Sequence, residues 1–452
     1  MNIHFIAIGG AVMHNLAIAL HLKGYTITGS DDEIFEPSLS RLKKYNLLPK
    51  KWGWDSSRIS PGTDAVILGM HARDDNPELI KARELNLKIY SFPEYLYEQT
   101  KNKTRIVIAG SHGKTTVTSM IMHALRENGL KFDYMVGSEL SGFDTMVELN
   151  DANTVAIFEG DEYLTSPIDP RPKFHLYKPH ISLITGIAWD HMNVFTTFEK
   201  YTEQFEIFAS MTSGSLVYYG KDNLLASIAA KHKDRISIYP YDEIISCSTE
   251  NYSLVVLGSS AVTLRIFGRH NMQNLAGAMQ ICNLLGISER DFLFSMTTFK
   301  GAARRQELLA QKGTRLVYLD FAHSPSKVTA TVQAFREQYN DKKLIACLEL
   351  HTFSSLNTAF IPQYKSSLDK ADKAIVFYNP EVVKHKNLPG FPPDFVLRSF
   401  ERKDLVVLQD PAAVEEMLLN LSGENTVFLI MTSGNFSGLN LKSLAEAIVT
   451  KT

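Results

Sequence analysis

Short β-branched apolar runs alternate with stretches of helical spacing along the chain, and this alternation restarts three times. Ile3 to Ile8 reads as a buried parallel strand, Val12 to Leu22 as a helix stopped at Gly24, and Tyr25 to Thr28 as a second strand. A further strand at Ala65 to Leu68 precedes the polar loop HARDDNP, and the region closes near Ser91, Phe92 and Pro93. After the charged turn EQTKNKT the pattern resumes with Arg105 to Ala109 and continues through strands at Thr154 to Phe158 and Ile181 to Ile184. A third restart at Arg315 to Leu319 leads into the loop DFAHSPS, a helix through Phe335 and a strand at Lys343 to Leu348. Strands at Lys373 to Phe377, Leu405 to Leu408 and Thr426 to Met431 then suggest a last sheet of six strands or close to it. The expected fold class is α/β in three domains, at residues 1–100, 101–308 and 309–452.

Composition narrows the class. A chain of 452 residues exceeds what one hydrophobic core usually serves, and 44% hydrophobic with 21% charged residues is an ordinary globular balance. Lysine and arginine total 47 against 49 acidic residues, so no global field draws the protein to nucleic acid or an anionic membrane. Anionic ligands must be held locally. Cys247, Cys282 and Cys347 are far apart and form no CxxC pair, which points to reduced thiols rather than disulfides or a zinc site. The N-terminus has no basic leader, and no uncharged stretch approaches the roughly 20 apolar residues of a membrane span, so a cytoplasmic location is expected.

The segment RIVIAGSHGKTTVTSMIMHAL places a strand before a glycine-bearing loop and an amphipathic helix after it. That is the context of a phosphate-binding loop. Gly110 and Gly113 permit a tight turn that aims the N–H groups of Ser111, His112 and Thr116 at phosphate oxygens, and the helix N-terminus adds a favourable dipole. Lys114 supplies a point charge and Thr115 a hydroxyl for magnesium. The loop is two residues shorter than the usual GxxxxGK[ST] form, which disfavours general ATPases and kinases.

Glu159 ends the run TVAIFEG and His191 follows ISLITGIAWDH, so both sit beyond strand ends, as the phosphate loop does. Ligands collect at the carboxyl ends of strands in open α/β sheets, so three such ends are expected to converge on one magnesium-nucleotide. Thr115 and Glu159 suit a hard cation. For His191, chemistry alone weighs metal ligation and simple packing equally. Asp161 and Glu162 read as a solvated acidic turn, Glu162 above all. A rival class, a dinucleotide-dependent oxidoreductase, follows from glycines after the first strand with an acid about 20 residues on, but Ala11 and His14 occupy the later glycine positions.

Taken together, GSHGKTT, EGDEY, DHMNVF, GRHNMQN, GAARRQE and DFAHSP, in this order across nearly the whole chain, resemble the Mur ligases of peptidoglycan synthesis. The resemblance implies a Rossmann-like N-terminal domain for a UDP-sugar, a central P-loop ATPase domain with a mostly parallel sheet, and a Rossmann-like C-terminal domain that closes on the nucleotide and binds the amine. It implies ATP and Mg2+ as cofactors, and small-molecule partners: UDP-N-acetylmuramate with a peptide or amino acid. Lys114 corresponds to the γ-phosphate lysine, Thr115 and Glu159 to a first magnesium site and His191 to a second. His270, Asn271 and Asn274 correspond to adenine contacts, Arg305 and His323 to phosphate contacts, and Asp320 to the ribose carboxylate. Gly9, Gly10, Met13, His14, Ser30, Asp31 and His71 are assigned to the UDP-sugar.

Within the family, Val12 in place of a glycine, DEYLTSPIDPRPKF and TSGNFSG are similar to members that add the tripeptide L-alanyl-γ-D-glutamyl-meso-diaminopimelate, with L-alanine as the alternative amine. Gly186, Leu164, Pro167 and Ile168 depart from the family pattern, and no lysine between Tyr201 and Gly220 matches the carbamylated lysine of some members. The second magnesium is therefore expected to rest on Glu159 and His191. A monomer or weak homodimer is expected.

Overall fold

A computed structural model describes residues 1–70, 72–189, 194–249, 252–257 and 260–451. His71 and His191 lie outside the described residues. The chain forms two compact units, one of residues 1–187, 197–242 and 277–295, the other of 188–196, 243–276 and 296–452.

The first unit opens with four parallel strands, β1 (Asn2–Ile6), β2 (Thr26–Ser30), β3 (Ala65–Leu68) and β4 (Lys88–Ser91), in the order β2-β1-β3-β4. Ile3, Phe5 and Ile6 and all four residues of β3 are buried, as expected of parallel strands covered on both faces. Strand β1 stops two residues short of the apolar run because Ala7 takes a left-handed backbone (φ 67). The N–H groups of Ala7 and Ile8 then both donate to the Ser30 carbonyl, at 2.9 and 3.0 Å, which starts the turn into the helix Ala11–Leu22.

The same unit holds a seven-stranded sheet. Its strands are β5 (Thr104–Ala109), β6 (Asp133–Met135), β7 (Val147–Glu148), β8 (Val155–Glu159), β11 (Ile181–Ile184), β12 (Ser215–Tyr219) and β13 (Ser237–Tyr241), with a separate hairpin of β9 (Leu164–Ser166) and β10 (Asp169–Pro172). The order is β13-β12-β11-β5-β8-β6-β7, parallel except for the β6–β7 pair. From β5 the chain first builds outward on one side, then crosses back to β11 on the other. Strand β5 is therefore the switch point, and Ala109 lies level with Ile184 while Ile108 lies level with Glu159. Three strand ends are thus set side by side.

In the second unit β14 (Ser246–Ser248), β15 (Ser253–Leu257) and β16 (Ser260–Leu264) form an antiparallel meander. A six-stranded sheet follows: β17 (Glu307–Lys312), β18 (Arg315–Asp320), β19 (Lys343–Glu349), β20 (Lys373–Phe377), β21 (Val406–Leu408) and β22 (Thr426–Met431), in the order β17-β18-β22-β19-β20-β21. Helices cover both faces. Val332 and Phe335 pack with Leu344 and Leu348 on one side, and Val414, Leu418 and Ile448 with Ile345 and Phe428 on the other. The sixth strand is the antiparallel edge β17, whose mixed pattern ELLAQK carries no strand signal of its own. Among the described residues no helix is long and apolar enough to cross a membrane.

Candidate active site

Strand β5 delivers the chain to Gly110, whose φ of 125 no side chain tolerates well, and the loop enters the helix Lys114–Glu127 through Gly113, a left-handed N-cap with φ 76. A Cβ on Gly110 would stand 2.1 Å from Thr185 Oγ1, so space excludes it as firmly as backbone angle does. Thr185, just past β11, is the brace: its hydroxyl donates to the Ala109 carbonyl at 3.3 Å and to the His112 carbonyl. No side chain caps the helix at Gly113, and the positive end of the helix dipole there favours an anion.

Lys114 Nζ donates to the Gly110 carbonyl at 2.7 Å and to Glu162 Oε2 at 2.5 Å. The other oxygen of Glu162 accepts from the Tyr201 hydroxyl at 2.9 Å, and that hydroxyl also bonds Ser111 Oγ at 2.8 Å. Glu162 is only 1% exposed, which corrects its reading as part of a solvated turn. The bend after β8 folds it beneath the phosphate loop, where the Lys114 ammonium compensates its charge. Asp161 is the more open member of the pair and accepts from Lys173 at 2.6 Å. Burial opposes the charge on Lys114, yet Glu162, Asp161 and Glu159 together hold its pKa above the usual lysine value.

At the next residue, Thr115 Oγ1 donates to Glu159 Oε1 at 2.7 Å, and the Gly137 N–H holds Glu159 Oε2 at 2.7 Å. A hydroxyl and a carboxylate converging at this distance beside the phosphate loop fit magnesium, a hard ion that takes one or two protein oxygens, phosphate oxygens and waters. Among the described residues no cluster of three or more histidine, cysteine, aspartate or glutamate side chains offers a protein-only cage.

Around the first sheet, Asp31 Oδ2 accepts from the Gly9 N–H at 2.7 Å, so the acid after β2 fastens the glycine turn after β1. Ser30 is fully buried and donates to Glu78, a completely buried carboxylate that also meets His4 Nε2 at 3.2 Å and the Asp55 N–H at 2.9 Å. His14 is turned inward as well. Its Nδ1 meets the Gly10 carbonyl at 2.9 Å and Ser38 Oγ at 3.0 Å, its Nε2 meets Asn15 Nδ2 at 2.9 Å, and burial lowers its pKa. Met13 is buried and Gly10 exposed. The structure thus joins Gly9 to Asp31 but directs the side chains of Ser30, Met13 and His14 into the protein.

The second unit gathers another set. Asn271 Nδ2 donates to Gln306 Oε1 at 2.8 Å, Asn274 Nδ2 to Asn271 Oδ1 at 3.3 Å, and the Gln306 N–H to Asp320 Oδ2 at 2.9 Å. Asp320, at the end of β18, also accepts from the Ala322 N–H at 2.8 Å. His270 lies 3.5 Å from Gln306 Nε2, and burial lowers its pKa. The Arg305 guanidinium sits 4.4 Å over the Phe321 ring, and His323 Nδ1 meets the Phe321 carbonyl at 2.9 Å. Arg304 and Gln306 adopt left-handed backbones (φ 59 and 49), which kink the GAARRQE segment into this cluster.

Sequence reasoning missed Glu162, Tyr201, Thr185, Glu78 and Gln306. The adjacency of EGDEY to the Glu159 strand end was the available signal for Glu162, whereas the tyrosine and threonine are ordinary residues until the sheet order brings them to the loop.

Comparison with known proteins adds three matches in series: the Mur ligase family catalytic domain over residues 2–104, the Mur ligase middle domain over 108–282, and the Mur ligase glutamate ligase domain over 304–434. A UDP-N-acetylmuramate–L-alanine ligase of Caldicellulosiruptor bescii is 31% identical over 391 residues, 82% of each chain. A UDP-N-acetylmuramate–L-alanyl-gamma-D-glutamyl-meso-2,6-diaminoheptandioate ligase of Haemophilus influenzae is 25% identical, over 98% of each. Among solved structures, the UDP-N-acetylmuramate-alanine ligase of Thermotoga maritima superposes with TM-score 0.75 and 21% identity, covering 99% of this chain and 98% of that one. A murein peptide ligase of Psychrobacter arcticus gives TM-score 0.69 and 21% identity, covering 100% and 99%.

Proposed function

Because the chain belongs to the Mur ligase family, whose members are ATP- and magnesium-dependent ligases forming amide bonds in peptidoglycan synthesis, we propose that it joins the carboxylate of UDP-N-acetylmuramate to L-alanyl-γ-D-glutamyl-meso-diaminopimelate through an acyl phosphate, releasing ADP and phosphate. The carrying observation is the grouping of Lys114, Thr115 and Glu159 where β5 and β8 end.

In this reading Lys114 neutralises the γ-phosphate and the N–H groups at the start of its helix take the neighbouring phosphates. Thr115 and Glu159, with His191 at a second position, would hold magnesium, which when bound would offset phosphate charge. Asn271 and Asn274 meet the adenine, His270 flanks them, Asp320 binds the ribose, and Arg305 and His323 serve the phosphates. Gly9, Gly10, Met13, His14, Ser30, Asp31 and His71 are assigned to the UDP-sugar site, with the inward-facing Met13, His14 and Ser30 acting by fixing its backbone. The working domains are residues 1–100, 101–308 and 309–452, in a cytoplasmic monomer or weak homodimer.

The tripeptide is supported by DEYLTSPIDPRPKF, TSGNFSG and the full-length match to the Haemophilus ligase. L-Alanine is the second reading, because several relatives at 29–31% identity carry that activity in their names. Phosphate release by the purified protein with ATP, Mg2+ and UDP-N-acetylmuramate decides between them. Turnover with tripeptide and little with L-alanine is expected; the reverse preference replaces the first reading by the second.

A further inference from the structure

The carboxylate that holds Lys114 is unusual in being sealed while its partner is open to the loop: the Glu162 side chain is 1% exposed and that of Lys114 15%. Glu162 is also held from behind. Tyr201, fully buried on the helix Phe198–Met211, fixes its second oxygen and reaches Ser111 with the same hydroxyl. Ser111, Tyr201, Glu162 and Lys114 thus form a chain of contacts whose two ends are both in the phosphate loop. Its links come from the loop, the bend after β8 and a helix distant in sequence, so the sheet order alone brings them together.

We propose that Glu162 stands in for the γ-phosphate: in the nucleotide-free protein its carboxylate occupies the partner position at Lys114 that a γ-phosphate takes over, and Tyr201 is the positioning residue that keeps it there. This rests on the reading of Lys114 as the γ-phosphate lysine. Two consequences follow from charge. A buried carboxylate that loses its ammonium is costly, so a nucleotide that draws Lys114 away does so against Glu162. ADP, which has no γ-phosphate, leaves the pair intact and meets no such opposition. The contact with Glu162 therefore keeps the lysine oriented before nucleotide binds, and once the terminal phosphate has been transferred the ammonium returns to Glu162, which loosens the hold on product.

The test is calorimetric binding of the nonhydrolysable ATP analogue AMP-PNP and of ADP, each with Mg2+, to the full chain and to Glu162→Gln, Tyr201→Phe and the double variant. Removing the competing charge should tighten AMP-PNP binding by about tenfold in Glu162→Gln, the scale of one partly screened charge contact, while ADP affinity stays within about twofold. Tyr201→Phe, which keeps its ring against Phe205, should shift the AMP-PNP to ADP ratio in the same direction by less, and the double variant should match Glu162→Gln alone. An unchanged or reversed ratio in both single variants overturns the proposal. If Glu162→Gln fails to fold, the ratio in Tyr201→Phe decides. If wild-type protein binds neither nucleotide, the triphosphate reading itself fails, whereas binding with a constant ratio removes only the stand-in role.

Discussion

Lys114 carries the residue-scale prediction. Replacing it with alanine leaves the helix start with a better helix former but removes the only side-chain cation bonded to Glu162 among the described residues. Turnover should fall by about 10²–10³-fold, the usual loss when one preorganised charge contact to a transferring group is deleted, while thermal melting shows a folded protein. Near-normal kcat in Lys114→Ala contradicts the assignment. Lys114 and Thr115 could be singled out in the sequence because loop chemistry is local, with glycines, a lysine and a hydroxyl in fixed order, and Glu159 because it ends an apolar strand run. Glu162 was not. Whether an acidic residue in a turn is solvated or buried depends on what lies beneath it, and here that is Tyr201, 39 positions away.

At the scale of elements, the strand β5, the loop and its helix form one continuous segment, and Gly110 is the residue at which it turns. Gly110→Ala places a methyl group against Thr185 and forces a left-handed backbone on alanine, so a loss of about 2 kcal/mol or more in unfolding free energy is expected, together with loss of phosphate release. Urea denaturation checks the first effect; a stable and active variant contradicts the described loop. The buried parallel strands were readable as apolar runs, and β3, β11, β20 and β22 fall where the pattern places them. The shortfalls have local causes. Strand β1 ends early at the left-handed Ala7, β2 runs on to Ser30 because its carbonyl receives both N–H groups of that bend, and β17 is an edge strand whose alternation is broken by a register shift between Leu308 and Ala310.

At the scale of the whole molecule, three restarts of the α/β pattern correspond, among the described residues, to three main sheets of four, seven and six strands. Strand order could not be read from the sequence, since pattern marks strands but not neighbours, and it is strand order that makes β5 the switch point between β8 and β11. His270, Asn271, Asn274, Arg305 and Asp320 were singled out only through family resemblance, because amides and a carboxylate at such separations carry no local signal; the structure gathers Asn271, Asn274 and Asp320 around Gln306. The central claim is that the Gly110–Thr116 loop, with Lys114, Thr115 and Glu159, grips a magnesium-bound triphosphate. The most direct measurement is a crystal structure with AMP-PNP and Mg2+: the account predicts the γ-phosphate at hydrogen-bond distance from Lys114 Nζ and the metal bound by Thr115 Oγ1 and Glu159, and a nucleotide lodged elsewhere, or a metal that neither residue touches, contradicts it.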